Sequence, residues 1–250
     1  MIKDFIAYIN EGLFDRNQSE FNIRKTDNGV EQVYIPITKE ELYKYIEIDI
    51  EQAKRDGTYP NVDLNNIDVS ELGNDDLTGL FSSKNYMINP NISDWNIKSI
   101  PSKFFNSNEQ IEEFTIPNSV TIIREGAFAS CSGLTSVTIP NSVTFIGGAA
   151  FEDCSSLTSV TIPNSVNNIG SWAFEDCSNL KSITIPNSVM SIEESTFEDC
   201  SSLTSVTIPN SVVRIGKYAF WGCDLKDVTI SKHCSIETNS FHKKCNIIIK

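Results

Sequence analysis

Leu134-Thr-Ser-Val-Thr-Ile-Pro-Asn-Ser-Val-Thr-Phe-Ile-Gly-Gly-Ala-Ala-Phe-Glu-Asp-Cys-Ser-Ser156 decides the fold, because the chain repeats it. The same 23-residue unit starts at Ile111, Leu134, Leu157, Leu180 and Leu203, and a decayed copy starts at Leu225. A period in this range marks a solenoid, in which each copy buries its apolar face only against its neighbours. Near-identical copies offer a repeated surface instead of one unique constellation, so the pattern argues against an enzyme.

Within the copy, Val137, Thr138 and Ile139 alternate before the turn, which is a strand signal. Pro140-Asn141-Ser142 ends that strand, since proline cannot donate to a continuing ladder. Val143 and Ile146 return to the core from a second short extended segment. Gly147-Gly148 is expected to turn the chain, Ala150-Phe151 to plug the next side, and Cys154 to close the coil. Phe128, Phe151, Phe174, Phe197 and Phe220 share one phase and are expected to stack as a buried file.

The combination Leu-x-x-Val-x-Ile-Pro, Ile-Gly-x-x-Ala-Phe and a Cys at the end of each coil resembles the BspA-like class of leucine-rich repeats, closely over 111–223 and loosely over 224–250. The resemblance implies a right-handed parallel β-solenoid with a curved sheet on one face. It also implies a binding role, since proteins of this class are often surface or adhesion proteins, and it carries over no catalytic residue.

The phase continues upstream. Ile97, Ile100, Phe105 and Ile111 precede Val120, Ile123, Phe128 and Leu134 by 23 residues. Asn91 to Phe105, with Ile92-Ser93 and Trp95, resembles another repeat often found beside BspA-like ones, and Asp68-Val69-Ser70 to Leu80-Phe81 looks like an earlier copy. Before that, Ile2, Phe5, Ile6, Ile9, Leu13 and Phe14 have helical spacing, and Val33, Ile35 and Ile37 alternate as a strand. Thr38-Lys-Glu-Glu41 is a capping box that opens a helix through Leu42, Tyr45, Ile46, Ile48 and Ala53, closed by Gly57. The expected organisation is β-dominated α/β. An N-terminal α/β cap spans 1–58, degenerate repeats span 59–110, and a right-handed leucine-rich-repeat solenoid spans 111–250. A solenoid needs its end covered, so capping is the expected task of the leader.

The charge is acidic on both sides of this boundary. Residues 1–110 carry 19 acids and 11 bases, and 111–250 carry 14 and 9, for a net −13. Nucleic-acid binding requires a positive patch and is disfavoured, as is attachment to anionic membranes. Apolar runs are too short to span a bilayer. Met1 to Glu11 lacks the form of a secretory signal, being interrupted by Asp4, Asn10 and Glu11. The chain is therefore expected to stay in the compartment where it is made, unless a signal has been removed; the resemblance allows a cell-surface location in that case.

Cys131, Cys154, Cys177, Cys200 and Cys223 share one structural slot. Stacked equivalents lie about 4.8 Å apart with parallel side chains, whereas a disulfide needs Cβ atoms about 3.8 Å apart and suitably directed. The expectation is a ladder of buried free thiols, each a small hydrophobe whose S–H reaches a loop carbonyl. His233, Cys234, His242 and Cys245 have the look of zinc ligands, but Cys234 falls where the repeat places core Val212, and a decayed terminal coil is the simpler reading. Glu152-Asp153, Glu175-Asp176 and Glu198-Asp199 form an acidic file that would suit calcium or, more simply, a solvated face. No cofactor is implied.

Two rows of small hydroxyls, from Ser136 to Ser205 and from Thr138 to Thr207, would match a periodic ligand such as a glycan or ice, although Ser and Thr also satisfy each other along a sheet. Positions where copies disagree are more informative. They are Thr144-Phe145, Asn167-Asn168, Met190-Ser191 and Val213-Arg214, the column Ala149, Trp172, Ser195 and Tyr218, and Trp221 in place of an acid. Aromatics and arginine dominate interface hot spots, so Trp172, Arg214, Tyr218 and Trp221 are the candidate partner-binding residues. The expected function is a non-catalytic protein–protein binding or scaffold module. The alternatives are a surface adhesin or carbohydrate-binding protein, and a structural component of a larger assembly such as a phage particle.

Overall fold

Each copy of the repeat closes one coil of a parallel β-solenoid in the computed structural model, which describes residues 22–25, 31–36, 38–57, 61–64, 67–69, 72–83, 88–93 and 95–250. Among the described residues the antiparallel pair β1 (Asn22–Lys25) and β2 (Glu31–Pro36) comes first, followed by helix α1 (Lys39–Asp56). Thr38 caps α1: its Oγ1 accepts from the Glu41 N–H while the Glu41 carboxylate accepts from the Thr38 N–H. Gly57, at φ 70°, ends the helix in the left-handed conformation that glycine adopts freely. Leu42, Tyr45, Ile46 and Ala53 are its buried face. The expected helix over Ile2–Phe14 lies outside the described residues.

The leader is stitched to the first coil. Strands β3 (Asn61–Asp63) and β4 (Ile67–Asp68) follow α1, and β2 pairs in parallel with β4. After the short helix α2 (Asn74–Leu77), each coil contributes two strands: β5 (Asn89–Asn91) and β6 (Ser99–Ile100), β7 (Glu113–Thr115) and β8 (Ile122–Ile123), β9 (Ser136–Thr138) and β10 (Phe145–Ile146), β11 (Ser159–Val160) and β12 (Asn168–Ile169). Then come β13 (Ser182–Thr184) and β14 (Ser191–Ile192), β15 (Ser205–Thr207) and β16 (Arg214–Ile215), β17 (Asp227–Ile230) and β18 (Ser235–Ile236), and finally β19 (Asn246–Ile249). Equivalent strands pair in parallel at the repeat register, as Val137 with Val160 and Ile146 with Ile169.

A third side has no strand but is laddered all the same. The backbone N–H groups of Phe128, Phe151 and Phe174 donate to the carbonyls of Ala150, Ala173 and Thr196 at 2.8, 2.8 and 2.9 Å. This places the phenyl rings one above another. Adjacent rings from Phe128 to Phe220 lie 5.1, 5.2, 5.5 and 5.3 Å apart and within 10° of parallel. The file extends beyond the clear repeats, through Phe105 and Phe81 at one end and Phe241 at the other. Phe81 to Phe220 are all buried. Because the core is one-dimensional, each ring is held by the ring above and the ring below.

The chain turns from Gly148 onward, as expected of the Gly-Gly pair, but glycine is not there for its conformational freedom. Neither glycine has a positive φ; that conformation falls on Ala149 and Asp153 instead. Gly147 is needed because a Cβ there would lie 2.7 Å from the Glu125 nitrogen of the preceding coil, and at Gly170 one would lie 2.5 Å from the Gly148 nitrogen. The short-strand ladder runs from β6 through β12 and resumes at β14. Its interruption coincides with Glu193, which fills this slot with a side chain. Arg124 also fills it, against the irregular coil that precedes, and there β6 and β8 stay paired.

Candidate functional site

The residue two before each file Phe sits in left-handed backbone in every coil from Lys103 to Asn239. Lys103 (φ 55°), Gly126 (61°), Ala149 (53°), Trp172 (59°), Ser195 (53°), Tyr218 (59°) and Asn239 (60°) form that column. Left-handed backbone costs roughly 1–2 kcal/mol for a residue with a Cβ, and glycine is the comfortable occupant, as at Gly126. Trp172 is 45 % exposed. Trp172 therefore holds a strained backbone position while leaving nearly half of its surface in water.

Tyr218 and Trp221 are brought together. Their rings meet edge-on at 6.2 Å, Trp221 lies 5.6 Å from the His242 ring, and Lys217 Nζ stands 4.6 Å above the Tyr218 ring. Both are half-buried, so they form a small aromatic ledge instead of free anchors. Trp172 occupies the Tyr218 position two coils earlier. Arg214 lies apart, on β16, and its guanidinium is already engaged: Nη1 is 2.9 Å from Glu193 and Nη2 is 2.7 Å from Glu237. Those carboxylates come from the coils before and after, so Arg214 clamps three coils. Met190, 64 % exposed, and Val213 form an apolar strip beside that clamp.

The five repeat cysteines are free and buried. Each thiol donates to the carbonyl of the phenylalanine in the preceding coil, Cys154 to Phe128 and Cys177 to Phe151 at 3.2 Å, and Cys200 to Phe174 and Cys223 to Phe197 at 3.1 Å. Burial pushes the Cys131 and Cys223 thiols up to about 12, so they stay neutral and unreactive at neutral pH. At the head of the column Asn108 takes the same role, donating to Phe81 O at 2.7 Å and Ile88 O at 2.8 Å.

Stacking also crowds the acidic file. Glu175 is raised to about 7, first by burial and then by the charges of Glu152 and Glu198. Glu152 and Asp176 are raised for the same reasons. Among the described residues no three His, Cys, Asp or Glu side chains converge as metal ligands. Cys234 is half-buried and packs against the core, while His242 faces Trp221. The Thr138, Thr161, Thr184 and Thr207 row is exposed to solvent.

A parallel solenoid built from these coils has a counterpart among known families. A model of the BspA type leucine rich repeat region matches residues 55–152 and 121–248, in six copies. The chain belongs to this family. No curated protein matches it. Among solved structures, this BspA-type chain is similar to a leucine rich cell surface protein from Faecalibacterium prausnitzii A2-165, at 36% identity and a TM-score of 0.52, over 56% of this chain and 39% of that one. It thus spans well under half of that protein. It is also similar to a T. pallidum leucine rich repeat protein, at 21% identity and a TM-score of 0.44, over 84% of this chain and 89% of that one. A leucine-rich repeat protein from Bacteroides ovatus matches at 20% identity and a TM-score of 0.35, over 94% of this chain and 67% of that one.

Proposed function

We propose that this BspA-type chain is a non-catalytic protein-binding module that recognises its partner where the repeat is broken. The observation that carries the reading is Trp172, a large exposed side chain held at a left-handed position that glycine fills in a sibling coil. Neither the core nor the backbone favours tryptophan there, whereas an interface does: aromatic side chains supply most of the energy of a hot spot. Tyr218 in the same column, with Trp221 beside it, extends that surface. Identical Ser/Thr rows cannot select one register of a non-periodic partner, so unique residues are the better determinants.

The test is capture from the native host with the full chain as bait, wild type beside a Trp172→Gly/Tyr218→Gly variant. A captured protein lost with the variant, at a melting temperature that has not fallen, supports the reading. Loss on changing Ser159 and Thr161 instead, with the aromatic variant still active, transfers the site to the hydroxyl rows. A cell-surface role is a second reading, favoured by the similarity to the Faecalibacterium cell surface protein. Surface labelling of intact host cells tests it.

A further inference from the structure

The short-strand side of the solenoid carries an uncharged island. The stretch 120–128 holds Arg124 and Glu125, and the equivalent stretch 189–197 holds Glu193 and Glu194. The two stretches between them, 143–151 and 166–174, hold no charged residue, in a chain of net charge −13. Five of their side chains are nevertheless exposed: Thr144, Phe145, Asn167, Asn168 and Trp172. Phe145 is 38 % exposed.

Bare backbone lies between the two aromatics. Phe145 stands opposite Asn168 in the β10–β12 pairing, and the Ala149 N–H donates to the Ser171 carbonyl at 2.9 Å. Gly147, Gly148 and Gly170 fall between, with Ser171 as the one side chain among them. Glycine permits close approach of another backbone. Four residues separate the Phe145 and Trp172 columns and one coil step separates their rows, so their Cα atoms lie within about 15 Å of each other.

The chemistry of the island selects its occupant. A charged segment would lose water with no counter-charge to meet. Strand addition is not available at β10, which is already paired with β8 and β12. The Asn167 and Asn168 side-chain amides and the Trp172 indole N–H make no hydrogen bond with any described residue, so the free groups are chiefly donors. A polyproline II segment presents the matching face. It has no internal hydrogen bonds and leaves its carbonyls bare. Its prolines bring no N–H of their own, and such segments dock between aromatic side chains. One turn is about 9 Å long, so two turns reach from Phe145 to Trp172. We infer that the island binds an uncharged, proline-rich segment of the partner in polyproline II form. Its rings lie against Phe145 and Trp172, and its carbonyls accept from Asn167 and Asn168. The inference rests on the protein-binding reading above and adds what the partner presents.

The probe is a library of random dodecapeptides displayed on phage and selected against the full chain. Enriched sequences should carry Pro-x-x-Pro spacing and few charges. Resynthesised with a fluorophore and titrated by anisotropy, they should bind at least about tenfold more weakly to Phe145→Ala and to Trp172→Gly, and equally well to Thr161→Ala. Asn168→Asp replaces a donor by a charge at an exposed position and should weaken them too, which keeps the test open if Phe145→Ala disturbs the fold. Added salt should change the affinity little. No enrichment, enrichment without proline, or affinity unchanged in Phe145→Ala and Asn168→Asp would each overturn the inference. Binding of labelled cellohexaose that both variants abolish would give the island to a sugar and overturn it as well. If the library fails while capture from the host still depends on Trp172 and Tyr218, the proline-rich segment falls and the protein-binding reading stands; if capture fails too, both fall.

Discussion

The Cys154 thiol donates to the carbonyl of Phe128, 26 positions earlier, and the same bond recurs in five successive coils. The acceptor does double duty: the carbonyl of Phe128 also takes the Cys131 N–H at 3.2 Å. Each thiol thus ties its own coil to the one before. With thiols buried and neutral, thiol-reactive dyes must wait for opening. At pH 8 labelling of the five repeat cysteines should be slow in the native state and immediate in denaturant, with Cys234 and Cys245 reacting first. A Cys154–Cys177 disulfide found by non-reducing mass analysis would refute the ladder. Cys177→Ala should cost about 1–2 kcal/mol, for a lost sulfur in a packed slot and one lost donor.

The phenyl file makes a sharper contrast. Phe174 is buried and held between Phe151 and Phe197. Phe174→Ala should destabilise by about 3–5 kcal/mol. Thr161, on the exposed row, should lose well under about 1 kcal/mol on substitution by alanine. Chemical denaturation of both variants checks this; equal costs would mean the faces are wrongly assigned.

The period of the repeat made most of the solenoid legible, since Leu, Val, Ile, Phe and Cys recur at fixed phase and each takes one environment. What it concealed were the exceptions to that period. Phe241 follows Phe220 by 21 residues, so strict phase passes it over although its ring continues the file. Asn108 stands in the cysteine column as a different residue type, and its donation to Phe81 emerges only from the stacking. Arg214 reads as a free charge, but Glu193 and Glu237 lie 21 residues before and 23 after it, and the coil register turns that separation into contact. The strained column left one hint, Gly126 in line with Ala149, Trp172, Ser195 and Tyr218. The turn at Gly148 was legible, but the role of the Gly147 slot was not, because glycine there answers a close approach between coils.

That slot gives its own test. A Cβ on Gly170 meets backbone atoms of Gly147 and Gly148, which cannot swing aside as a side chain would. Gly170→Ala should therefore cost about 1–3 kcal/mol, the range for overpacking. Glu193→Gly should close up the neighbouring boundary but also release one partner of Arg214, so its net effect should be smaller than that of Gly170→Ala. Thermal melts of the two variants rank them.

Trp172→Gly reverses the usual expectation for removing a large side chain. Relief of the left-handed backbone gains roughly 1–2 kcal/mol, and the added freedom of glycine in the unfolded chain returns about 0.5–1 kcal/mol of it. Stability should hold or rise by up to about 1.5 kcal/mol. A loss greater than that in urea denaturation would show that the indole packs as structure, and would remove the main support for its binding role.

The acidic file should make the solenoid more stable in mild acid. Glu175, Glu152 and Asp176 are all raised, by burial first and by stacked carboxylates next. For an acid whose folded value is raised, the folded state binds the proton more tightly than the unfolded chain does. The resulting stability is complete below the ordinary carboxylate value and is lost as pH rises through the folded value, which for Glu175 is about 7. The melting temperature should thus fall between pH 5 and pH 8, and added salt should recover part of the loss by screening the file. The buried thiols change sides only above their ordinary value of 9.0 and stay outside this window. Glu175→Gln removes the central charge, so it should raise the melting temperature at pH 8 and flatten the slope. A slope of opposite sign over this window, or one that Glu175→Gln leaves unchanged, would show that the file does not govern it.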